Sequence, residues 1–485
     1  MRERFASRGL GGRMPRGRRT SPLSTRSPGT GRDEIVAALG GPDVLGRRRA
    51  VHSLVTAVGD RARRPLERAL ADPDHGVRVG AASGLGTIAD PRSRKALERA
   101  LRDPNANVRA QAAYALSRLA DRRSGPLLAE RLSTDESALV RNACALALGH
   151  VRDPVGVPSL VRALDDESDR VRREAVLALD RCGASDVPRR VRPLLADPAR
   201  RVRIAVAVVL GARKDRASVP ALLEHLRRAE AWERPALVIA LGRIGGRASG
   251  AALVRASRDP MSAVRVCAVH GLALSRSPRS RGVARSRLSD PAWAVRGAAA
   301  LALGQVGTRA DARALLRRLE DPHPWPRRGS LYALGQLGVR GAAREVRRAL
   351  DDPDPEVRLA AVWALGRLGD AGSRVPLLAL LRATRPSSAR SHVTFSEGDG
   401  AVRLVSDADA RWFDALVDAL GSLPDGPGDA ARAALSELEV GLSDRELDRP
   451  ARLPSPLGAA GSEATLRDLF RRARGPRGPV PPGRS

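Results

Sequence analysis

Apolar residues recur at helical spacing in short blocks along most of the chain, and the blocks themselves recur. In residues 352–368, Val357, Ala361, Val362 and Leu365 follow one another at intervals of four, one and three, which puts them on one face of a helix. Ahead of them Asp352-Pro353 has the form of an N-cap followed by proline at the first helical position, and "GRLGD" at 366–370 supplies a glycine stop. A second block, "SRVPLLALLRAT" at 373–384, predicts a second helix with Val375, Leu378 and Leu381 or their immediate neighbours as its apolar stripe. Each predicted helix is short and apolar on one side only, so neither buries that side alone. The pairs must stack, each covering the next.

The stacking unit can be measured. From Asp352, steps of 31 residues reach Asp321, Asp290, Asp259, Arg228, Asp197, Asp166 and Asp135. A step of 32 then reaches Asp103, and steps of 31 reach Asp72 and Gly41. Eleven units therefore run in register, and an arginine stands six positions after the mark in every one, from Arg47 and Arg78 to Arg358. A leucine stands thirteen after it, from Leu54 to Leu365. A catalytic constellation occurs once in a chain, whereas the aspartate column is filled nine times and the arginine column eleven times. Both columns are read as structural: helix capping, and an Asp–Arg ladder between neighbouring units.

"DPDPEVRLAAVWALGRLGD" at 352–370 and "DPNANVRAQAAYALSRLA" at 103–120 resemble HEAT repeats, and within them the short class of phycobilisome-lyase-like (PBS lyase) HEAT-like repeats. The resemblance covers roughly residues 41–383. It implies an all-α fold, a right-handed α-α superhelix (HEAT-like solenoid) of about eleven two-helix repeats of 31 residues, with first helices convex and second helices lining the concave side. It implies no single function, because this repeat serves unrelated proteins. Deoxyhypusine hydroxylases of similar architecture use His-Glu pairs as iron ligands, but none of His52, His75, His150, His225, His270, His323 or His392 is followed by Glu. Phycobilin lyases position a bilin for attachment to a partner's cysteine, and no residue here is singled out for that task. HEAT-like DNA glycosylases hold a duplex, and no matched catalytic motif is found for them either.

Composition agrees with a stack of closely packed helices. Of 485 residues only 2% are aromatic, so Ala, Leu, Val and Gly must supply the core. Cys144, Cys182 and Cys267 lack CxxC or CxH spacing and read as small buried residues of a reducing compartment. No metal, cofactor or catalytic residue is expected, and an enzyme, which the resemblance would make phycobilin-lyase-like or an accessory subunit of one, is the less favoured reading. No apolar run reaches the ~18 residues of a membrane span and no signal-peptide core is seen, so a cytoplasmic protein without membrane contact is expected.

The net charge of +31 comes from 83 Arg with only Lys95 and Lys214. It divides the chain. Residues 1–32 carry +8 and read as a disordered basic arm, residues 33–383 carry +24 as the solenoid, and residues 384–460 carry −5 as an acidic capping segment. Residues 33–40 form a short helix over the first unit in this reading. The acidic segment is given a hairpin at "HVTFSEGDGAVRLV" and a helix over 408–421 with Trp412, Phe413, Leu416 and Leu420 available for burial. Residues 461–485 read as one more helix, "SEATLRDLFRRAR", and a Pro/Gly/Arg tail.

The second helices hold the candidate binding residues. Arg68, Arg99, Arg131, Arg162, Arg255, Arg317 and Arg348 fall in one column, and Arg64, Lys95, Arg313 and Arg344 fall one turn earlier. Residues four apart share a helix face, so the two columns predict parallel basic stripes on the inner surface. Their occupant is a protein partner on the leading reading and nucleic-acid phosphate on the alternative one. Trp232, Trp293 and Trp325 break the scarcity of aromatics near first-helix starts and are read chiefly as packing residues. The leading functional expectation is a non-catalytic scaffold that binds another protein through its concave surface; the sequence leaves its oligomeric state open.

Overall fold

A computed structural model of the protein describes residues 30–383, 415–420, 422, 423 and 468. Eleven helix pairs follow one another, with first helices running from Val44–Val58 and His75–Ile88 through to Pro324–Gln336 and Pro355–Leu368. Among the described residues there is no strand. All eleven leucines of the repeat column, Leu54 to Leu365, are at most 1% exposed. A helix at Thr30–Ala38 precedes the first unit, three residues earlier than the sequence suggested, and Ile35, Val36 and Leu39 pack against the core.

Each first helix except that of unit seven starts two residues later than expected. Asp352 is not the N-cap: the helix is Pro355–Leu368, Asp354 is its cap, and Pro353 lies outside it. Asp352 is held extended at φ −61°, ψ 139°, and its Oδ1 accepts the Asp354 N–H at 2.9 Å. The same bond, from the backbone N–H two residues on, is made by all nine aspartates of the column, as at Asp74–Asp72 and Ala292–Asp290. A carboxylate committed to that turn is also placed to face the preceding unit. In the last second helix, Arg374–Ala383, Leu378 is buried as expected, whereas Val375 is 76% exposed and Leu377 is buried.

Small residues decide how the helix layers pack. A Cβ placed on Gly86 would stand 2.9 Å from Ala115 Cα, on Gly211 2.7 Å from Ala240 Cα, and on Gly242 2.4 Å from Gly271 Cα. Glycine fourteen residues after the mark thus lets a first helix lie almost backbone to backbone on the next. Consecutive first helices contact each other extensively at all ten steps, whereas contacts between consecutive second helices are sparse. In a curved stack the layer with the shorter spacing lies on the inside of the curve. The first helices therefore form the concave layer and the second helices the convex one, the reverse of what the family resemblance implied.

The stack continues past the eleventh unit. Residues 415–420 are helical, with Ala415, Leu416, Val417, Ala419 and Leu420 buried, and a Cβ on Gly366 would lie 2.7 Å from Ala419 Cα. Gly335 has the same relation to Ala364, at 3.1 Å. The segment occupies the place of a twelfth first helix, and "LVDALGSL" at 416–423 matches "AVWALGRL" at 361–368. The repeat count missed it because Leu420 follows Leu365 by 55 residues, not 31. Leu416 and Leu420 are buried as expected. Trp412, Phe413, the hairpin, residues 1–29 of the basic arm and the C-terminal tail lie outside the described residues, while residues 30–32 of the arm belong to the first helix.

Candidate functional site: the inner face at units five to seven

The repeated Asp and Arg residues form one continuous ladder. Arg78 Nε and Nη2 donate to both oxygens of Asp103 in the next unit at 2.7 and 2.9 Å, while Nη1 donates to the carbonyls of Asp72 and Pro73. The same fork joins Arg109 to Asp135, Arg172 to Asp197, Arg265 to Asp290, Arg296 to Asp321 and Arg327 to Asp352. Burial alone would raise the carboxyls of Asp103, Asp197, Asp290 and Asp321. The facing guanidinium and the backbone N–H outweigh burial and hold all four below their usual range. Arg and carboxylate are thus consumed in pairs, and the columns carry structure, not chemistry.

The predicted basic residues all lie on second-helix segments: Arg64 and Arg68 in Arg63–Ala69, Lys95 and Arg99 in Arg94–Ala100, Arg131 in Gly125–Thr134, and Arg162 in Val157–Arg162. Further along come Arg255 in Arg247–Ala256, Arg313 in Ala312–Leu316, Arg317 at the head of Arg317–Glu320, and Arg344 and Arg348 in Ala343–Arg348. All are exposed except Arg131, which is half-buried. Arg162 donates to Ser133 Oγ of the neighbouring second helix at 3.1 Å. By contrast, Arg63 and Arg94 on the same helices are paired with Glu67 and Glu98. These residues lie on the second-helix layer, the convex one, and not on the inner surface where they were expected.

The ladder changes hands at one place. In unit seven the mark is Arg228, and Pro235 falls seven residues after it, where other units are already inside the helix. Proline there would clash with the preceding turn, so the helix is shortened to Arg234–Ile244 and Pro235 becomes its second residue. Glu233, 1% exposed, takes over from the missing aspartate. It accepts from Arg203 of unit six and lies 2.9 Å from Nε2 of buried His225, whose Nδ1 has no partner. The turn before the shortened helix carries Trp232, which is 71% exposed. The packing role expected of it is not what the structure shows.

The other tryptophans are partnered. Trp293 stacks on His323 with ring centroids 3.8 Å apart, Arg328 lies 4.4 Å over Trp325, and Trp363 meets Tyr332 edge-on at 5.2 Å. Beside unit seven, an open cavity of about 800 Å³ lies between the starts of the first helices of units five and six. Arg170, Arg173, Arg200 and Arg201 line it, against Asp169 and Glu230. Arg201 is bridged to Asp169 at 2.9 Å, whereas Arg170 and Arg200 have no carboxylate partner among the described residues. Sequence reasoning missed this cluster because it searched the second-helix columns. Its signal was the run of Arg170, Arg201 and Trp232 four residues after three successive marks.

No group of three or more His, Cys, Asp or Glu among the described residues is arranged to hold a metal. Cys144 is fully buried, and desolvation pushes its thiol far above its ordinary value; Cys182 and Cys267 are half-buried and shifted the same way. No described helix is long and apolar enough to cross a membrane.

A family model for HEAT repeats matches residues 32–117, 94–180, 157–242, 250–334 and 313–396. Among solved structures, importin beta superposes with a TM-score of 0.53 at 13% identity, covering 91% of this chain and 68% of its own. The Escherichia coli protein YibA is 24% identical over 50% of this chain and 92% of its own, with a TM-score of 0.39. The CpcE–CpcF complex of phycocyanin lyase from Nostoc sp. is 21% identical over 54% and 99%, with a TM-score of 0.32. Curated proteins give no significant match.

Proposed function

Because the chain belongs to the HEAT-repeat family, we propose that it is a non-catalytic scaffold that holds another protein on its concave, first-helix surface. The observation that carries this reading is an asymmetry between layers. Of the large apolar residues left exposed among the described residues, Val44, Leu45, Leu139, Val208, Trp232, Leu274 and Trp293 belong to first-helix segments, and only Val155 and Val375 to second-helix segments. The core already has all the leucine it needs, so apolar side chains facing out of the inner layer are available to a partner. Affinity capture from native lysate, with nuclease added, tests it. Val208→Glu and Leu274→Glu should abolish capture while Arg99→Glu leaves it intact; capture insensitive to both inner-face changes would sink the reading.

A second reading rests on the convex layer, where Arg68, Arg99, Arg317 and Arg348 are exposed and, among the described residues, without carboxylate partners. Such a track would bind nucleic-acid phosphate with a salt slope of about −0.9 per contact on B-DNA. Replacing three of these residues by Gln should flatten the slope by about two to three units. Binding by a chain lacking residues 1–32 no stronger than a neutral control at ~150 mM salt, where the Debye length is about 8 Å, would end this reading.

A further inference from the structure

We infer that the inner face of units four to seven is a docking site for an acidic segment of a partner protein that carries apolar anchors. The inference rests on the scaffold reading above and specifies where on the concave layer, and what chemistry, the partner presents. Three observations converge there.

The first is charge. Arg170 and Arg200 project at the cavity with no carboxylate partner among the described residues, and Arg201 is satisfied only by half-exposed Asp169. Elsewhere on this layer the ladder consumes its arginines in buried forks, so guanidinia left over in a cluster are the exception. A fork of donors matches a carboxylate in two-pronged geometry, and an Arg cluster free of neutralising acids attracts anionic chains. The second is apolar exposure in the same place. Leu139 of unit four and Val208 of unit six are each 42% exposed, and Trp232 of unit seven is 71% exposed with neither ring nor cation partner. Leu139, Arg170 and Arg201 are each the second residue of their helices and form a row across consecutive first helices, which Trp232, at the same count from its mark, continues from the turn before the next helix. The row reads apolar, cationic, cationic, apolar. A binding segment would place carboxylates in its middle and a large apolar side chain at each end.

The third is that Trp232 is exposed by construction. Pro235 shortens the helix, Glu233 turns inward to replace the missing aspartate, and the residue before it is thereby turned out. Tryptophan and arginine are the side chains that most often dominate protein interfaces, and Glu230, two residues before Trp232, lines the arginine cavity.

The experiment uses the full chain and a short fluorescein-labelled peptide of glutamates flanked by Leu and Trp, followed by fluorescence anisotropy. Its comparators are the same peptide with Ala at the apolar positions and a single-stranded DNA of similar charge. Binding of the Leu/Trp peptide should weaken at least about tenfold with the Ala comparator, with Trp232→Ala, and with Arg170→Gln/Arg200→Gln. Arg68→Gln/Arg99→Gln on the convex face should leave it unchanged. Every changed side chain is exposed, and unaltered melting of each variant confirms folding. Loss through the Arg68/Arg99 pair, indifference to Trp232, or stronger binding of the DNA through Arg170 and Arg200 overturns the inference. A photo-crosslinking residue at Trp232 and, separately, at Leu274, which is exposed on the same layer outside the site, separates this failure from that of the scaffold reading. Protein adducts in cells from Leu274 alone sink only the site, adducts from neither position sink both, and adducts from Trp232 that acidic peptide competes away support the site.

Discussion

Two neighbouring steps of the ladder do the same work with different residues. Between units five and six, Arg172 grips Asp197, the regular partner, at 2.8 and 2.9 Å. Between units six and seven, Arg203 finds Glu233, which arrives from five residues further along and brings His225 with it. The first solution leaves nothing over. The second shortens a helix, leaves an imidazole nitrogen buried without a partner, and turns a tryptophan out to solvent. What each repeat demands is a carboxylate at one point in space, and any backbone that delivers it is tolerated. The departures are therefore where properties other than stacking can be found.

Acid should break the regular steps together. Asp103, Asp197, Asp290 and Asp321 titrate below their usual range in the folded chain, so their stabilisation is full above the unfolded value of about 3.9 and is lost as pH falls through the lower folded values. The melting temperature should be flat from about pH 7 to 5 and fall steeply below about pH 4. A curve unchanged down to about pH 3 would contradict the ladder's role.

Breaking one regular step comes next. Asp197→Ala leaves Arg172 in a nearly buried site without its anion and should cost about 3–5 kcal/mol in urea unfolding. Because a solenoid is held by nearest-neighbour interfaces, a second transition should appear as the stack divides there. Glu233→Gln at the irregular step keeps the volume and one acceptor, so a smaller loss of about 2 kcal/mol is expected. Equal losses at the two steps would remove the contrast drawn between them.

Gly211→Ala inserts a methyl 2.7 Å from Ala240 Cα and should cost about 1–3 kcal/mol, since backbone cannot yield as a side chain can. Smallest, and of opposite sign, is Ala120→Gly. Ala120 ends its helix at φ 50°, in the left-handed region, and glycine there should stabilise by about 1 kcal/mol.

Much of the solenoid was legible in one dimension because repetition exposes what every unit needs. The leucine column is buried throughout, and the Asp and Arg columns pair as their spacing suggested. What misled was local. Asp-Pro looks like a cap and a first helical residue, yet the carboxylate serves the turn and the ladder, and the cap falls two residues later. The candidate site was less legible. The second-helix basic residues were assigned to the inner side although their layer is the convex one, while Arg170, Arg200 and Arg201, scattered at first-helix starts, were not singled out.

Periodicity settles which residues of a helix share a face, because 3.6 residues per turn is a property of the backbone alone. From that followed the paired helices, their stacking and the buried columns. Which layer lies inside the curve depends on how closely each layer's helices approach. That is set by pairs such as Gly211 with Ala240, which belong to different units and meet only when the chain is stacked. Likewise the outward turn of Trp232 follows from Pro235, Arg228 and Glu233 acting together against Arg203 of the unit before. Such outcomes are relations between repeats, and only the tertiary structure brings the partners together.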